Sequence, residues 1–556
     1  MSRTTSAEMT PAAGNPPAGG LTHRQILTVL SGLMLGMFLA SLDQTIVSTA
    51  MRTIADKLHG QTQQAWVTTA YLVTSTVSTP LYGKLSDLYG RKPFYLFAIS
   101  IFVVGSILCG FATSVYELAA FRALQGVGAG GLMSLAFAIV GDMVPPRERG
   151  RYQGYFMSVF ATSSVLGPVL GGFLAGQSEI LGHAGWRWIF LINVPIGLLA
   201  LVVVSKVLHT PSKRSQHRID YLGAALMTAA VVPVLLLAEK GHEWGWTSTT
   251  SLLLLGIAIV ALGLFVPRER QMGEEAILPL RVFSNRIFTV SSTVAFLVGI
   301  GMFGGLTSVP LYLQIVHGES PTKAGLQMIP FMGGIICSSF TTGRIMSRTG
   351  RYKIFPIIGT AVMGVAMLLF STLTVDTPIP RAMLFMVVMG AGLGLSMQTL
   401  VISVQNALPP RDMGIATSSV TFFRSMGGTF GVAAALSVLF GSLVGNIQDR
   451  AHAAGLPLGD ISKFKAAGGL NDTSKIALLP KTYQRVVLQG FSDSMHTVFL
   501  TTFFLLIPAF VLAFFIKEQP LRSMGGLAAQ RAEAAERESA RDEVQLDKAK
   551  TESAVL

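Results

Sequence analysis

Apolar stretches of about 20 residues recur along almost the whole chain, and they constrain the fold more than any other feature. A helix of that length crosses a hydrocarbon core of about 30 Å. Lipid offers no hydrogen-bond partners to an open backbone, so each crossing stretch must be helical. The stretches lie at 26–50, 64–82, 94–112, 117–140, 152–175, 187–208, 219–238, 250–267, 287–314, 324–344, 354–374, 382–405, 416–441 and 496–516. We therefore predict an all-α polytopic membrane protein with 14 spans.

Composition excludes several other classes of protein. Only 13% of the residues are charged and 51% are apolar, whereas a soluble surface needs far more charge. The net charge of +13 comes from Lys and Arg in short loops between spans, so we expect no nucleic-acid partner. The chain has no metal-ligand cluster, phosphate-binding glycine loop or nucleophile elbow. We therefore expect no enzyme activity, no metal and no cofactor.

The loops that follow even-numbered spans carry the basic residues. Examples are Lys84 and Arg91 after the second span and Arg147 and Arg149 after the fourth. Basic loops stay on the cytoplasmic side of a membrane. This pattern predicts that both termini are cytoplasmic, which an even number of spans allows.

Two pairs of similar segments reveal an internal repeat. Gly83–Lys92 follows the second span and recurs as Gly343–Tyr352 after the tenth. Pro145–Gly150 after the fourth span recurs as Pro409–Gly414 after the twelfth. Spans 1–6 and 9–14 are therefore predicted to be two copies of one six-helix unit, with two helices inserted between them. Secondary transporters use paired repeats to rock around a central site.

The repeat divides the chain into regions. We predict a disordered cytoplasmic tail at 1–25, an N-terminal six-helix bundle at 26–208, two inserted helices with linkers at 209–286, a C-terminal six-helix bundle at 287–520, and a cytoplasmic tail at 521–556. Residues 442–495 are predicted to form a long external loop with helical parts such as Thr482–Gly490. Two roles stay open for this loop, which are binding an envelope partner and a passive insertion.

Residues 26–520 resemble the major facilitator superfamily, and within it the fourteen-span drug/proton antiporter family. The resemblance rests on Gly83–Lys92, on Leu118–Gly126 in span 4, on Leu42–Val47 in span 1 and on Trp186–Pro195 at the start of span 6. In span 5, the antiporter signature is matched at Gly154, Gly167, Pro168, Gly171 and Gly172, with Ser163 where glycine is usual. The resemblance implies a proton-driven exporter of hydrophobic or cationic small molecules, a multidrug efflux transporter of the bacterial cytoplasmic membrane, which we expect to be a monomer.

Asp43 lies within an otherwise apolar span, and such a charge is costly unless it has a function. At 1.5 Å per residue, Asp43 and Arg122 come to similar depths in the membrane. We predict that Asp43 accepts the transported proton and that Arg122 tunes its affinity. The alternative is a static ion pair that fixes spans 1 and 4. Met386 aligns with Arg122 in the second repeat, so coupling is expected in the first half alone.

The Gly83–Lys92 loop is predicted to form a cytoplasmic gate. Gly83 and Gly90 suit a tight reversal, and Asp87 with Arg91 can make a charge-assisted latch. We assign Lys92 to the same gate. Ser347 replaces the aspartate in the second copy, so the first copy should carry the main latch.

Arg424 in span 13 is the other cation inside the membrane. Two roles stay open for it, which are a structural hydrogen-bond donor and a part of the inner gate.

Ser163, Gly167 and Gly171 recur every four residues, which predicts a face where helices approach closely. Polar and aromatic residues that we predict along a substrate path are Trp66, Tyr71, Gln125, Tyr312, Gln314, Gln398, Gln405 and Asn406. An exporter of a lipid or cell-envelope precursor on the same fold is the alternative function. A nutrient importer is disfavoured by the span-5 signature, and a receptor leaves Asp43 and the repeat without a role.

Overall fold

The computed structural model describes residues 23–58, 64–208, 220–273, 275–456 and 479–522. Within these ranges almost every element is an α-helix. In chain order the helices are α1 His23–Lys57, α2 Gln64–Tyr89, α3 Arg91–Phe111, α4 Val115–Met143, α5 Pro146–Gly176, α6 Trp188–Leu191, α7 Asn193–Val207, α8 Tyr221–Trp244, α9 Thr249–Met272, α10 Arg286–Ile315, α11 Pro321–Gln327, α12 Ile329–Thr349, α13 Ile354–Ser371, α14 Ile379–Ala407, α15 Met413–Ala453 and α16 Lys481–Ala513. Most of the two predicted tails falls outside the described residues.

The two predicted six-helix bundles have the same internal arrangement. In the first half, α1 packs against α5 and α7, and α4 packs against α2 and α3. In the second half, α10 packs against α15 and α16, and α14 packs against α12 and α13. The repeat predicted from the two pairs of similar segments is therefore confirmed, and the fold is an all-α fold of two six-helix repeats.

Two predicted spans are each divided between two helices, because a proline lacks the N–H that continues a helix. The span at 187–208 consists of α6 and α7, which meet at Ile192. Pro195 lies one turn later and cannot donate to the carbonyl of Leu191. The span at 324–344 begins in α11 and continues in α12, with Pro330 just after the break. A short antiparallel pair of strands, β1 Glu179–Ile180 and β2 His183–Ala184, precedes α6.

Length and mean hydropathy would let 13 of the described helical segments cross a membrane, and α2 is the predicted span that this measure omits. The reason is its run of hydroxyl side chains. Thr74 and Ser78 donate hydrogen bonds to carbonyl oxygens of α4, at 2.8 Å to Ala123 and 3.2 Å to Val127. Hydroxyls of this kind join helices inside a membrane. The polar face of α2 is directed at α4, and its hydroxyl residues lower the mean hydropathy of α2.

The inserted helices α8 and α9 pack against each other, and α8 also contacts α2 and α15. The two halves touch through α2 with α15 on this side and through α5 with α12 on the other. Leu252, Ile259 and Leu264 of α9 are exposed. Such an apolar outer face fits contact with lipid tails.

The connection predicted at 442–495 is shorter than the sequence indicates, because both of its ends are helical. α15 continues to Ala453 and α16 already begins at Lys481. At 41 residues, α15 is about 60 Å long and extends well beyond a hydrocarbon core of about 30 Å. Arg450 and Asp493 join the two helices there with an ion pair of 2.6 Å. Residues 457–478 lie outside the described ranges.

Candidate functional site

Asp43, Arg122 and Arg424 are the charged residues that lie five or more positions inside a predicted span. The fold brings the first two together. Arg122 Nη1 donates to Asp43 Oδ2 at 2.5 Å, and the two side chains are 2% and 0% exposed. A buried charge is strongly destabilising unless an opposite charge and hydrogen bonds compensate it. Each residue of the pair therefore supplies the opposite charge that compensates the burial of the other.

Two amide side chains complete the environment of the Asp43 carboxylate. Gln125 Nε2 and Asn193 Nδ2 both donate to Oδ1, at 2.9 Å and 2.8 Å. The same two amides donate to Ser106 Oγ, at 2.5 Å and 3.1 Å. Both carboxylate oxygens are thus hydrogen-bonded, which stabilises the charged form and fixes its orientation.

The Arg122 guanidinium is held on two further sides. Its Cζ lies 4.0 Å from the centre of the Tyr71 ring, a cation–π contact. Its Nη1 also donates to Gln125 Oε1 at 2.7 Å. Arg122 Nε and Asn193 Oδ1 have no hydrogen-bond partner among the described residues. These two polar atoms of the network therefore make no hydrogen bond to a described residue in this conformation.

Glycines allow the helices around this network to approach closely. A Cβ added at Gly105 on α3 would lie 2.8 Å from the backbone of Gln125 on α4. A Cβ at Gly126 would lie 2.5 Å from the carbonyl oxygen of Tyr71 on α2. Small residues of this kind permit tight packing in a membrane. The network joins α1, α2, α3, α4 and α7, all in the first half, while Met386 in the second half is buried without charge.

Sequence reasoning did not single out Asn193 or Ser106. Asn193 lies inside the Trp186–Pro195 segment that carries part of the family resemblance, so a signal for it was present. Ser106 is one of many small polar residues in the spans, and only the fold distinguishes it.

Asp87, which is predicted to form a latch with Arg91, contacts the start of α15 in the other half, and we keep the name latch for this contact. Asp87 Oδ1 and Oδ2 accept hydrogen bonds from the backbone N–H groups of Gly414 and Ile415, each at 3.0 Å. The first N–H groups of a helix lack partners within it, and the helix dipole favours an anion there. A Cβ at Gly83 would lie 2.9 Å from the Gly414 carbonyl oxygen, so glycine is needed for this close approach. We call this end of the molecule the gate end.

Arg91 ties the latch into the first half. Its Nη2 lies 2.6 Å from Asp87 Oδ1, and its Nε donates to Asp142 Oδ2 at 2.7 Å. All three side chains are almost fully buried. The charges therefore hold α2, α3 and α4 in one arrangement behind the contact with α15.

A second contact closes the gate end between α5 and α14. Arg149 donates to Gln405 Oε1, to the Gly141 carbonyl at 2.5 Å and to the Val144 carbonyl at 2.8 Å. Gln405 Nε2 in turn donates to Thr417 Oγ1 of α15 at 2.7 Å. The residues Arg149, Gln405 and Thr417, which we call the inner seal, therefore join both halves.

The remaining residues assigned to the gate lie elsewhere. Lys92 Nζ donates to the Ser205 carbonyl at 2.6 Å, since it faces α7 rather than the second half. Gly90 has φ 97°, which lets the chain reverse between α2 and α3. Ser347 bonds locally to the Arg344 carbonyl at 2.9 Å. Arg424 takes no part in the gate contacts.

Arg281 and Asp412 form a gate-end contact that the sequence did not indicate. Arg281 Nη1 and Nη2 donate to the two oxygens of Asp412 at 2.9 Å and 2.8 Å. This fork joins the segment after α9 to the residue that precedes α15. The connection from the inserted helices is thus fastened beside the latch.

The small-residue face of α5 packs against α1 next to Asp43. A Cβ at Gly171 would lie 2.8 Å from the Ile46 carbonyl oxygen, and Thr45 Oγ1 donates to the Ser163 carbonyl at 3.0 Å. Gly167 also packs against Thr45. The other signature residues have different surroundings, which are Gly325 of α11 for Pro168, Phe340 of α12 for Gly154, and open space for Gly172.

The residues predicted along a substrate path lie in several separate places. Tyr71 and Gln125 belong to the Asp43 network, and Gln405 belongs to the inner seal. The Tyr312 hydroxyl donates to the Thr374 carbonyl at 2.8 Å, Asn406 Nδ2 donates to the Pro520 carbonyl at 3.1 Å, and the Trp66 ring lies 6.1 Å from that of Trp244. Gln398 is buried in α14, and Gln314 is partly exposed near the end of α10.

Comparison with known proteins gives the same fold and identifies the family. The sequence profile described as Major Facilitator Superfamily matches residues 33–432. An uncharacterised MFS-type transporter of Mycobacterium tuberculosis is 39% identical over 518 residues, which cover 93% of this chain and 73% of that protein. The multidrug transporter protein MdtP of Bacillus subtilis is 34% identical over 509 residues, covering 88% of this chain and 92% of its own.

A solved structure of the proton:xylose symporter XylE superposes with a TM-score of 0.59, covering 92% of this chain and 100% of that one. At 15% identity this likeness concerns the fold alone. The profile match and the sequence relatives identify the family as well as the fold. This chain belongs to the major facilitator superfamily, whose members are transporters and not enzymes, and within it is related to multidrug efflux pumps.

Proposed function

We propose that this secondary transporter exports hydrophobic small molecules, drugs among them, in exchange for protons by alternating access. The observation that carries the proposal is the Asp43 network. Asp43 is fully buried in the middle of a span, and every helix that holds its partners belongs to one half. A charged carboxylate at such a depth costs free energy, and ionisable residues inside membranes mark functional sites such as proton relays. We therefore assign proton binding to Asp43.

Protonation would remove the charge that holds the Arg122 pair together. The guanidinium and the two amides of Gln125 and Asn193 would then lose their anionic acceptor. The helices that meet at Asp43 would repack, and that change is the event that opens the gate end on this proposal. One proton moving inward through a potential of 100 mV releases about 2.3 kcal/mol, which can drive a substrate outward.

We assign the gate end to the cytoplasm of a bacterial cell, with both termini on that side. Lys84, Arg91 and Arg149 lie at this end, as the preference for basic residues inside requires. On this assignment, the contacts of the latch and the inner seal shut the molecule toward the cytoplasm. Substrate would enter after these contacts break.

Export rather than uptake is supported by the α5 face and by the relatives. The close packing of Gly167 and Gly171 against α1 lies beside Asp43, so α5 can follow a change there. MdtP and a second Bacillus subtilis relative, multidrug resistance protein 3, which is 33% identical, bear multidrug names. The envelope partner predicted at 442–495 stays a prediction, because 457–478 lie outside the described residues.

The test is proton movement in everted membrane vesicles that contain a pH-sensitive dye. After energisation, adding a transported drug should release protons from the lumen in the wild type, and Asp43→Asn should abolish this release. Glu117→Gln is the matched control, because Glu117 lies on the same helix as Arg122 but is partly exposed and accepts a hydrogen bond from the Thr113 backbone N–H. An equal response in Asp43→Asn and the wild type would contradict the proposed role of Asp43.

A further inference from the structure

Arg424 has a position that neither the proton site nor the gate explains. It lies on α15, seven residues after Thr417 of the inner seal. Seven residues are close to two helical turns, so both side chains leave the same face of α15, about 10 Å apart along the axis. Thr417 faces α14 and the inner seal between the halves. Arg424 therefore faces the space between the halves, one step above the seal.

The backbone at Arg424 is firmly fixed. A Cβ at Gly299 of α10 would lie 2.2 Å from the Arg424 carbonyl oxygen, and Gly427 and Gly428 pack equally closely on α10. Thr421 and Val420, on the turn before, are buried. The guanidinium is thus carried by a rigid support.

The Arg424 guanidinium has no hydrogen-bond or ion-pair partner in the part of the chain that the structure describes. Arg91, Arg122 and Arg149 each bind a carboxylate or several oxygen atoms. Arg424, by contrast, makes no hydrogen bond or ion pair among the described residues, and it is partly exposed although it lies inside a span. A long basic side chain often reaches water at a membrane surface. Here the inner seal lies between Arg424 and the gate end, so that route is closed in this conformation.

Among the three charged residues that lie five or more positions inside a predicted span, one positive charge has no counter-charge. Asp43 and Arg122 neutralise each other, and Asp43 already accepts three hydrogen bonds. At that depth, a cationic substrate would therefore meet Arg424 and no unpaired carboxylate among the described residues. An anionic substrate would meet a planar fork of donors that suits carboxylate, sulfonate and phosphate oxygens.

We propose that Arg424 is the binding residue for an anionic group on the exported molecule, so that the substrates are hydrophobic anions. The proposal rests on the proposed export function and names its substrate class. Export of an anion in exchange for a proton would also depend on the membrane potential. One monoanion leaving and one proton entering move two charges in the favourable direction, whereas one monocation exchanged for one proton moves none.

Two fluorescent amphipaths provide a matched pair of probes. Anilinonaphthalene sulfonate and phenylnaphthylamine share an aromatic body and differ in the sulfonate. Equilibrium binding to the purified protein in lipid nanodiscs, with empty nanodiscs as the blank, requires neither export nor a proton gradient. We expect tighter binding of the sulfonate, and Arg424→Gln should weaken it on the order of tenfold, because a hydrogen bond to a charged group contributes that much. Binding of phenylnaphthylamine should stay within about twofold.

Arg424→Lys keeps the charge and loses the fork, so we expect binding of the sulfonate between that of the wild type and that of Arg424→Gln. Unchanged sulfonate binding in Arg424→Gln, equal losses for both probes, or no preference for the sulfonate in the wild type would each overturn the proposal. The vesicle assay with the same probes separates this outcome from failure of the export function. If the sulfonate preference depends on Arg424 but neither probe moves protons, the anion site stands and the proton-coupled export does not.

Discussion

Replacing Asp87 with Asn is expected to shift the transporter toward the conformation that is open at the gate end. Asp87 links α2 to the first turn of α15, so its hydrogen bonds cross from one half to the other. On the proposed cycle these bonds exist only while the gate end is closed. Weakening them therefore destabilises one conformation and leaves the other unchanged.

The size of the shift follows from the contacts that are lost. Asp87 accepts two backbone hydrogen bonds of 3.0 Å and pairs with Arg91 at 2.6 Å. The Asn oxygen can still accept one N–H, and Arg91 keeps Asp142. One charge-assisted hydrogen bond contributes about 1.5–3 kcal/mol. We expect a loss of about 2 kcal/mol, which is a change of about 30-fold in the ratio of closed to open molecules.

Distance measurement between spin labels can detect this change. Glu148 on α5 and Arg344 on α12 are exposed at the gate end and belong to different halves. Labelled cysteines at these positions, in a background where Cys109 and Cys337 are serine, report the separation of the halves. The longer distance should become a major population in Asp87→Asn.

Ser347→Asn is the matched control, because Ser347 occupies the equivalent place in the second repeat and donates to the Arg344 carbonyl of its own helix. It should leave the distance distribution unchanged. If Asp87→Asn also gives the distribution of the wild type, the latch does not stabilise the closed conformation and the reasoning from its hydrogen bonds fails.

Two further predictions concern packing and the Arg122 environment. Gly171→Ala should destabilise the purified protein by about 1–3 kcal/mol, because the new Cβ meets the Ile46 carbonyl at 2.8 Å, whereas Gly172→Ala meets nothing within 4 Å and should be tolerated. Thermal unfolding in detergent measures both, and equal effects would exclude packing as the cause. Tyr71→Leu should reduce proton-coupled transport several-fold, since the ring 4.0 Å from Arg122 is lost, and Tyr71→Phe should retain it. The vesicle assay tests this pair, and a loss in Tyr71→Phe would assign the effect to the hydroxyl instead.

The sequence predicts the features of the fold that depend on the internal repeat or on the regular geometry of a helix. The span pattern and the paired Gly83 and Gly343 segments predict the two bundles, and the rise per residue predicts that Asp43 and Arg122 lie at one depth. The two prolines that divide predicted spans, Pro195 and Pro330, were visible too, but a proline inside a membrane helix is often tolerated. Only the fold shows which prolines interrupt a membrane span and which lie inside a continuous helix.

Partners that are distant in sequence could not be predicted. Asp87 binds backbone groups more than 300 positions away, and a backbone N–H has no signature in a sequence. Gln405 was predicted to line a path, yet the fold places it opposite Arg149. Helix was predicted at Thr482–Gly490, but the extension of α15 to Ala453 was missed because its polar residues resemble those of a loop. In a helix that extends beyond the membrane, such residues are compatible with water.

The helix α4 links the proposed proton site to the latch, as α2 also does through Tyr71 and Asp87 and α3 does through Ser106 and Arg91. Gln125 of α4 holds Asp43, and Asp142 near the other end of the same helix holds Arg91 behind the latch. The two residues are 17 positions apart, which is about 25 Å of continuous helix. A straight helix transmits tilt over such a length without a chain of side-chain rearrangements. On the proposed mechanism, a repacking at Asp43 therefore moves the base of the latch directly, and the second half needs no proton site of its own.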